Sequence, residues 1–505
     1  MIDRLANQLG AAPFKCYGDW TGRIAKGELP KAQPQRPQGV ERNVVVTSWE
    51  WGTPKTFLHD LISSDRRNPT VNPYGPLCGS PEYSSDYIPI LDPKTAEVTF
   101  FRMTVQDDKM PESFGPPFHA TALDKPRSPS PYWGMEKIWS QKANNHNGMI
   151  DHKGRVWFAA NVRGHENPDF CKKGSSHPSA QAVPLDLSQR QATILDPKTM
   201  TYSCVNTCFG THHPQFGYDA DNTVWFSGSG PVAGWVNTRV FDDSGDVVKA
   251  QGWAPWVLDT NGNGKVDDCT EPDKPAEAGK DMRVGGSGPC GVMPHPTDGS
   301  VWYAFNTFGG TPGCMRFDPL TKLSEFFALP SGYVGIRGGD IDKNGVVWGS
   351  GSNGGFISFD RRLCTGPLNG PTATGNHCPE GFAYHRFPGP GHEGFEQNSA
   401  EASCYTWVDH HNTLGLGENV PIATGNLNGG FIALKDGKMI LLRIPYPMGF
   451  FAKAMDGRID DPNAGWKGRG LWRTSGDRTP WLMEGGKGST PRAVHIQIRP
   501  DPLAR

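Results

Sequence analysis

The chain has 505 residues, with 50 lysines and arginines against 52 aspartates and glutamates and a formal charge of −2. That balance, with the basic residues scattered, supplies no steering field for DNA or RNA, and no stretch reaches the roughly 20 apolar residues of a membrane span. With 63 glycines and 45 prolines, breakers recur too often for long helices, so the chain reads as many short strands joined by polar turns in a closed repeat.

The first twenty residues lack the apolar core of a secretion signal. Residues 26–43, KGELPKAQPQRPQGVERN, read as an extended, polyproline-like linker. This divides the chain into an N-terminal segment, 1–43, and a repeat domain, 44–505. Within that domain DHKGRVWF at 151, DADNTVWF at 219, PTDGSVWY at 296 and DKNGVVWG at 342 share a polar turn followed by a strand with Trp157, Trp225, Trp302 or Trp348. A second motif follows each at a distance: ILDPKT at 90 and 194, RFDPLT at 316, SFDRRL at 358. Asp-Pro opens a type I turn. Each unit therefore reads strand, polar turn, strand, strand, Asp-Pro turn, strand, which is the signature of a four-stranded propeller blade. Cys78 takes the tryptophan place in an earlier unit. Aligning SGSNGGFISFD with GNLNGGFIALK puts Ala423 in that place in a later one, and the interval from Trp348 to Trp472 holds two units. The expectation is an all-β, seven-bladed propeller, closed by pairing of NVVVTSW near 44 with AVHIQIRP near 493. The repeated tryptophans are read as filling between blades.

The 11 cysteines include pairs across irregular segments: Cys171 with Cys208, Cys364 with Cys378, and Cys290 with Cys314. Such pairs suit disulfides in an oxidising compartment, periplasmic or extracellular, with a signal or an upstream domain removed; buried free thiols are the other reading.

The innermost strand of each blade lines a central channel. His146, at the start of its unit, and His212 and His213 in CFGTHHPQFGYD fall at that channel, as does His59 in TFLHDLISSD. Arg337 and Asp340 in GIRGGDIDKNG, Glu401 and Lys453 take comparable places. Imidazoles from neighbouring blades can converge on one ion, and neutral imidazole suits Zn, Cu or Fe; without a metal they would hydrogen-bond in a water-filled channel. His410 and His411 read as a surface loop. DTNGNGKVDD from Asp259 has the rhythm of a calcium loop: Asp259, Asn261 and Asn263 at positions one, three and five, Gly264 at the sharp turn, the Lys265 carbonyl, Asp267 at nine, and Glu271 beside position twelve. It would staple an insertion near 255–280 in the third blade. No G-x-S-x-G, Walker loop or H-E-x-x-H is present.

The D-x-x-G-x-V-W-F repeats over about 45–500 resemble those of the streptogramin (virginiamycin B) lyase type of seven-bladed propeller. GDWTGRIAKGELP and YPMGFFAKAMDGRIDDPNAGWKGRGLW also look like exported bacterial propellers associated with c-type cytochrome domains, although no C-x-x-C-H occurs in this chain. The first resemblance implies a histidine general base, His146 or His213, and a carboxylate, Glu401 or Asp340, helping to hold Mg2+. The resulting expectation is an exported enzyme, lyase or oxidoreductase, using His146, His213, Glu401 and Arg337 with a channel metal on a small organic substrate. The alternatives are an electron-transfer partner of a c-type cytochrome and a non-catalytic binding or scaffold propeller.

Overall fold

In the computed structural model the chain is a β-propeller with four-stranded antiparallel blades. The structure describes residues 18–19, 21–28, 36–56, 58–110, 112, 140–228, 230–272, 274–285, 288–305, 311–333, 335–351, 354–389, 391, 399, 405–424, 430–444, 455–475 and 490–503. Among these, six sheets have four strands each and a further sheet has seven. The leading strands of the sheets are, in chain order, Leu61–Ile62, Asn147–Ile150, Pro214–Phe216, Gly291–Pro294, Ile336–Ile341, Thr406–Asp409 and Asp456–Ile459. From the first to the sixth, each packs on the next, and the first also packs on the closing sheet. They therefore stand side by side around an axis. The ring is closed as expected: Val44–Glu50 runs antiparallel to Arg492–Ile498, from Val44 opposite Ile498 to Glu50 opposite Arg492. Closure leaves no broad open edge.

The sequence pattern explains the local structure. The Asp151 carboxylate accepts from the amides of Lys153 and Arg155, both at 2.9 Å, and from the indole Nε1 of Trp157 at 3.2 Å. Asp342 does the same for Asn344, Val346 and Trp348. One buried side chain thus satisfies the turn and fixes the tryptophan. A separate apolar cluster fills each junction between neighbouring sheets, including that of the last with the first, where Trp51 and Leu61 meet Trp472. Trp157 is fully buried, and truncating such a residue costs about 3–5 kcal/mol.

Several expectations need correction. Pro296 does not hold the turn place in its unit. The turn is one residue longer, and His295 stands there, its Nδ1 accepting from Thr297 and Asp298 amides as a carboxylate would. Ile422, not Ala423, takes the tryptophan place, because Ile422 faces Ala433 as Trp348 faces Ser358. One residue more in the hairpin exchanges the two faces. Cys290 and Cys314 are free thiols. Both flank Ala304, so two strand spacings, about 9–10 Å, separate them, beyond disulfide reach. The other two disulfides form. The end of the supposed polyproline linker is a 3₁₀ turn, Gly39–Arg42; residues 29–35 lie outside the described residues. The insertion follows the third sheet in sequence, but its strands Val257–Leu258, Cys269–Thr270 and Asp281–Arg283 extend the sheet that begins at Gly291, through the parallel pair Leu258–Ser324.

Candidate metal centre

Strand register carries three histidines to one level of the channel. In successive sheets Ile62 faces Cys78, Met149 faces Trp157, Gln215 faces Trp225 and Met293 faces Trp302. Three residues earlier in each stand His59, His146, His212 and Cys290. The amides of His59, His146 and Cys290 donate to Ser80, Ala159 and Ala304 carbonyls at 2.8, 2.9 and 3.0 Å. Each bond continues its strand ladder and fixes the backbone from which the side chain leaves. His213 follows, its amide on Ser227 Oγ at 3.1 Å.

The four imidazoles form one cluster. Ring centroids lie 4.0 Å apart for His59 and His146, 4.1 Å for His146 and His212, and 4.0 Å for His212 and His213. Three rings have Nδ1 held by an acceptor: His59 by Asp60 Oδ2 at 2.6 Å, His146 by Glu82 Oε1, and His213 by the Cys290 carbonyl at 2.5 Å. The Cys290 carbonyl can only accept, so His213 carries its proton on Nδ1 and presents a lone pair at Nε2. His146, donating from Nδ1 to a carboxylate, presents the same atom. These two Nε2 atoms lie 3.2 Å apart. Facing lone pairs at that distance need a cation between them, a proton or a metal ion. Two imidazole nitrogens bound tetrahedrally at 2.0–2.1 Å would stand about 3.3 Å apart. Nδ1 bonded to a carboxylate or carbonyl is also the usual outer shell of a metal-bound histidine. The residues therefore fit a transition-metal ion.

Sequence reasoning missed the supporting groups. Glu82, buried, takes His146 and also Arg190 at 2.9 Å, and its other oxygen lies 3.8 Å from His59 Nε2. Below the histidines lies a cavity of about 100 Å³ lined by Asn147, His213, Gln215, Tyr405 and Thr406 among others. Arg66 lines it too, reaching across the axis to pair with Asp340. Burial lowers the Arg66 pKa to about 10. Asp456 accepts from the amides of Ser63 and Ser64 at 2.7 and 3.0 Å, and its burial raises its pKa to about 6. No period in the sequence marks these residues.

Among the other expected residues, Asp340 is committed to Arg66 and to the amides of Ile341 and Val408. Arg337 lies on the strand Ile336–Ile341 where the register shifts. Glu401 and Lys453 lie outside the described residues. His410 is no surface residue: it is buried, its Nε2 donating to the Ile341 carbonyl at 2.7 Å. At the expected calcium loop, Asp259 accepts from Gly262, Asn263 and Gly264 amides, and Asn263 Nδ2 donates to Asp267. Lys265 donates its amide to Asn263 Oδ1, and Asn263 its own to Asn261 Oδ1. Glu271 turns to Arg283 at 3.3 Å.

Fold and site together define a β-propeller with a hydrogen-bonded histidine cluster at one end of its channel. Neither a protein-family profile nor a curated sequence matches the chain. Among solved structures, it is similar to a streptogramin B lyase, with TM-score 0.49 and 11% identity over 92% of this chain and 100% of that one. It is similar also to virginiamycin B lyase from Staphylococcus aureus (0.47, 9%, 90% and 100%), and to YCF48 bound to D1 peptide (0.45, 6%, 94% and 100%). At such scores they decide neither family nor activity.

Proposed function

We propose that the protein is a metal-dependent enzyme of seven blades, the sheet led by Gly291–Pro294 counting as one, that works on a small organic molecule in its channel. The carrying observation is the pair of Nε2 atoms of His146 and His213, 3.2 Å apart with both Nδ1 atoms engaged. His212 completes the nitrogen set, and His59 stands beside it, grouped with Glu82 and His146. Imidazole donors favour Zn, Cu or Fe over Mg2+, which takes oxygen ligands. When bound, such an ion polarises a substrate oxygen, which suits elimination, or activates dioxygen, which suits oxidation. Glu82 and Asp60 hold the rings in one tautomer. Asn147, Gln215 and Thr406 line the space beside them and would orient the substrate, while the Arg66–Asp340 pair crosses the axis. The two disulfides suit an oxidising, extracytoplasmic compartment.

Elemental analysis of the full chain tests this. One transition-metal ion per chain is expected, lost in His146→Ala/His213→Ala, with melting close to that of metal-free wild type. Wild type without a transition metal, or a variant that keeps the metal but melts far lower, sinks the reading and marks the histidines as packing residues.

A further inference from the structure

A second site lies outside the channel, where the insertion meets the ring. The Asp259 loop curls around its own first carboxylate. Oδ1 accepts from Gly262 and Asn263 amides at 2.7 and 3.0 Å, and Oδ2 from Gly264 at 2.9 Å. Gly262 and Gly264 have φ of 80° and 77°, a left-handed backbone that glycine adopts without strain. In a calcium loop the last ligand is a glutamate at position twelve. Here that place is Thr270, and the neighbouring Glu271 is exposed and engaged by Arg283.

A different carboxylate faces the loop. Asp281 opens the strand that runs beside Cys269–Thr270, with Cys269 opposite Asp281. Its Oδ2 accepts from the Asp267 amide at 3.0 Å. The residue is fully buried, at 0% exposure, yet Oδ1 has no hydrogen-bond partner among the described residues. A buried carboxylate oxygen left unpaired is costly. Asp281, with one oxygen unanswered beside a loop that already carries Asp259 and Asp267, lacks a cation.

We propose that Asp281, rather than Glu271, closes a calcium site with Asp259, Asn261, Asn263, the Lys265 carbonyl and Asp267, and that the bound ion clasps the insertion to two blades. The donors are all oxygen, and their number suits the six to eight ligands of Ca2+. The clasp follows from what the loop touches. Leu258, next to Asp259, pairs with Ser324 of the fourth sheet. The Asp259 carbonyl accepts from Gly370 at 2.7 Å, within the loop closed by the Cys364–Cys378 disulfide of the fifth. An ion that orders Asp259 therefore orders both contacts.

The test uses the full chain stripped with EDTA and titrated with calcium chloride, with magnesium chloride as comparison. Wild type should take up one Ca2+ per chain, in preference to Mg2+, and melt higher when loaded. Asp281→Asn should bind Ca2+ at least tenfold more weakly and lose the calcium-dependent rise in Tm. Glu271→Gln should behave as wild type. In EDTA, D281N should melt at or above wild type, since it removes a buried charge. Absence of calcium uptake by wild type, loss of uptake in E271Q but not D281N, or failure of D281N to fold in EDTA overturns the proposal. The channel metal does not enter any of these readings.

Discussion

What a histidine does in this ring depends on what each of its nitrogens touches. His146 and His213 give Nδ1 to an acceptor and turn Nε2 toward each other, the arrangement of a ligand. His410 spends Nε2 on the Ile341 carbonyl, and His495 lies stacked on Trp472 at 4.1 Å; both are structural. Burial lowers the pKa of each from 6.5 to about 3. The unfolded chain takes a proton near pH 6.5 and the folded chain does not. The stability present above that pH is therefore lost as pH falls from 6.5 toward 3, by about 2 kcal/mol per residue between pH 7 and 5. Asp456 has the opposite sign: its pKa is raised from 3.8 to about 6, so its contribution is lost as pH rises through that interval. The difference between wild type and His410→Gln/His495→Leu isolates the histidines. Denaturant unfolding should show wild type losing about 3–4 kcal/mol more than the variant on acidification from pH 7 to 5; parallel losses would place the protons elsewhere.

The turn and the two strands it joins form the repeating element, and they were the most legible part of the sequence. Asp151 and Asp342 sit where the repeats put them because one carboxylate can satisfy two turn amides and an indole at fixed spacing. Replacing Asp151 with Ala leaves those buried donors and the Arg155 guanidinium without it, and should cost about 2–4 kcal/mol in chemical denaturation while metal content stays the same. A cost below about 1 kcal/mol would mean that the turn holds itself. Legibility failed where turn length changed. His295 replaces an aspartate only because its turn has an extra residue, and Ile422 replaces Ala423 for the same kind of reason. The channel histidines were readable because they share one phase of the repeat. Their partners were not: Glu82 reaches His146 over 64 positions, and Arg66 finds Asp340 across the axis. Such contacts are made by the ring and follow no period. Asp281 escaped notice likewise, since its strand pairing, not its distance from Asp259, brings it to the loop.

The ring as a whole is held by a join between its two ends. Seven residues of the strand Val44–Glu50 pair with Arg492–Ile498, and Val44 and Val46 pack against the cluster that contains Val494 and Ile496. Without that strand the first sheet would follow the last only through side-chain packing, and the ladder groups of a strand that includes buried Val494 and Ile496 would become an exposed edge. The histidine cluster lies elsewhere. His59, His146, His212 and His213 belong to the first three sheets, which are contiguous in the chain and pack directly on one another. Stability and metal binding should therefore separate. A chain lacking residues 1–50 is expected to lose about 3–5 kcal/mol of stability, the net of its lost ladder bonds and apolar contacts. It should self-associate through the bared edge in light-scattering measurements and still bind the proposed transition metal at one ion per chain. A truncated protein that stays monomeric and melts with wild type would show that packing alone closes the ring. Loss of the metal with the strand would show that the three histidine-bearing sheets hold their relative positions only inside a closed circle.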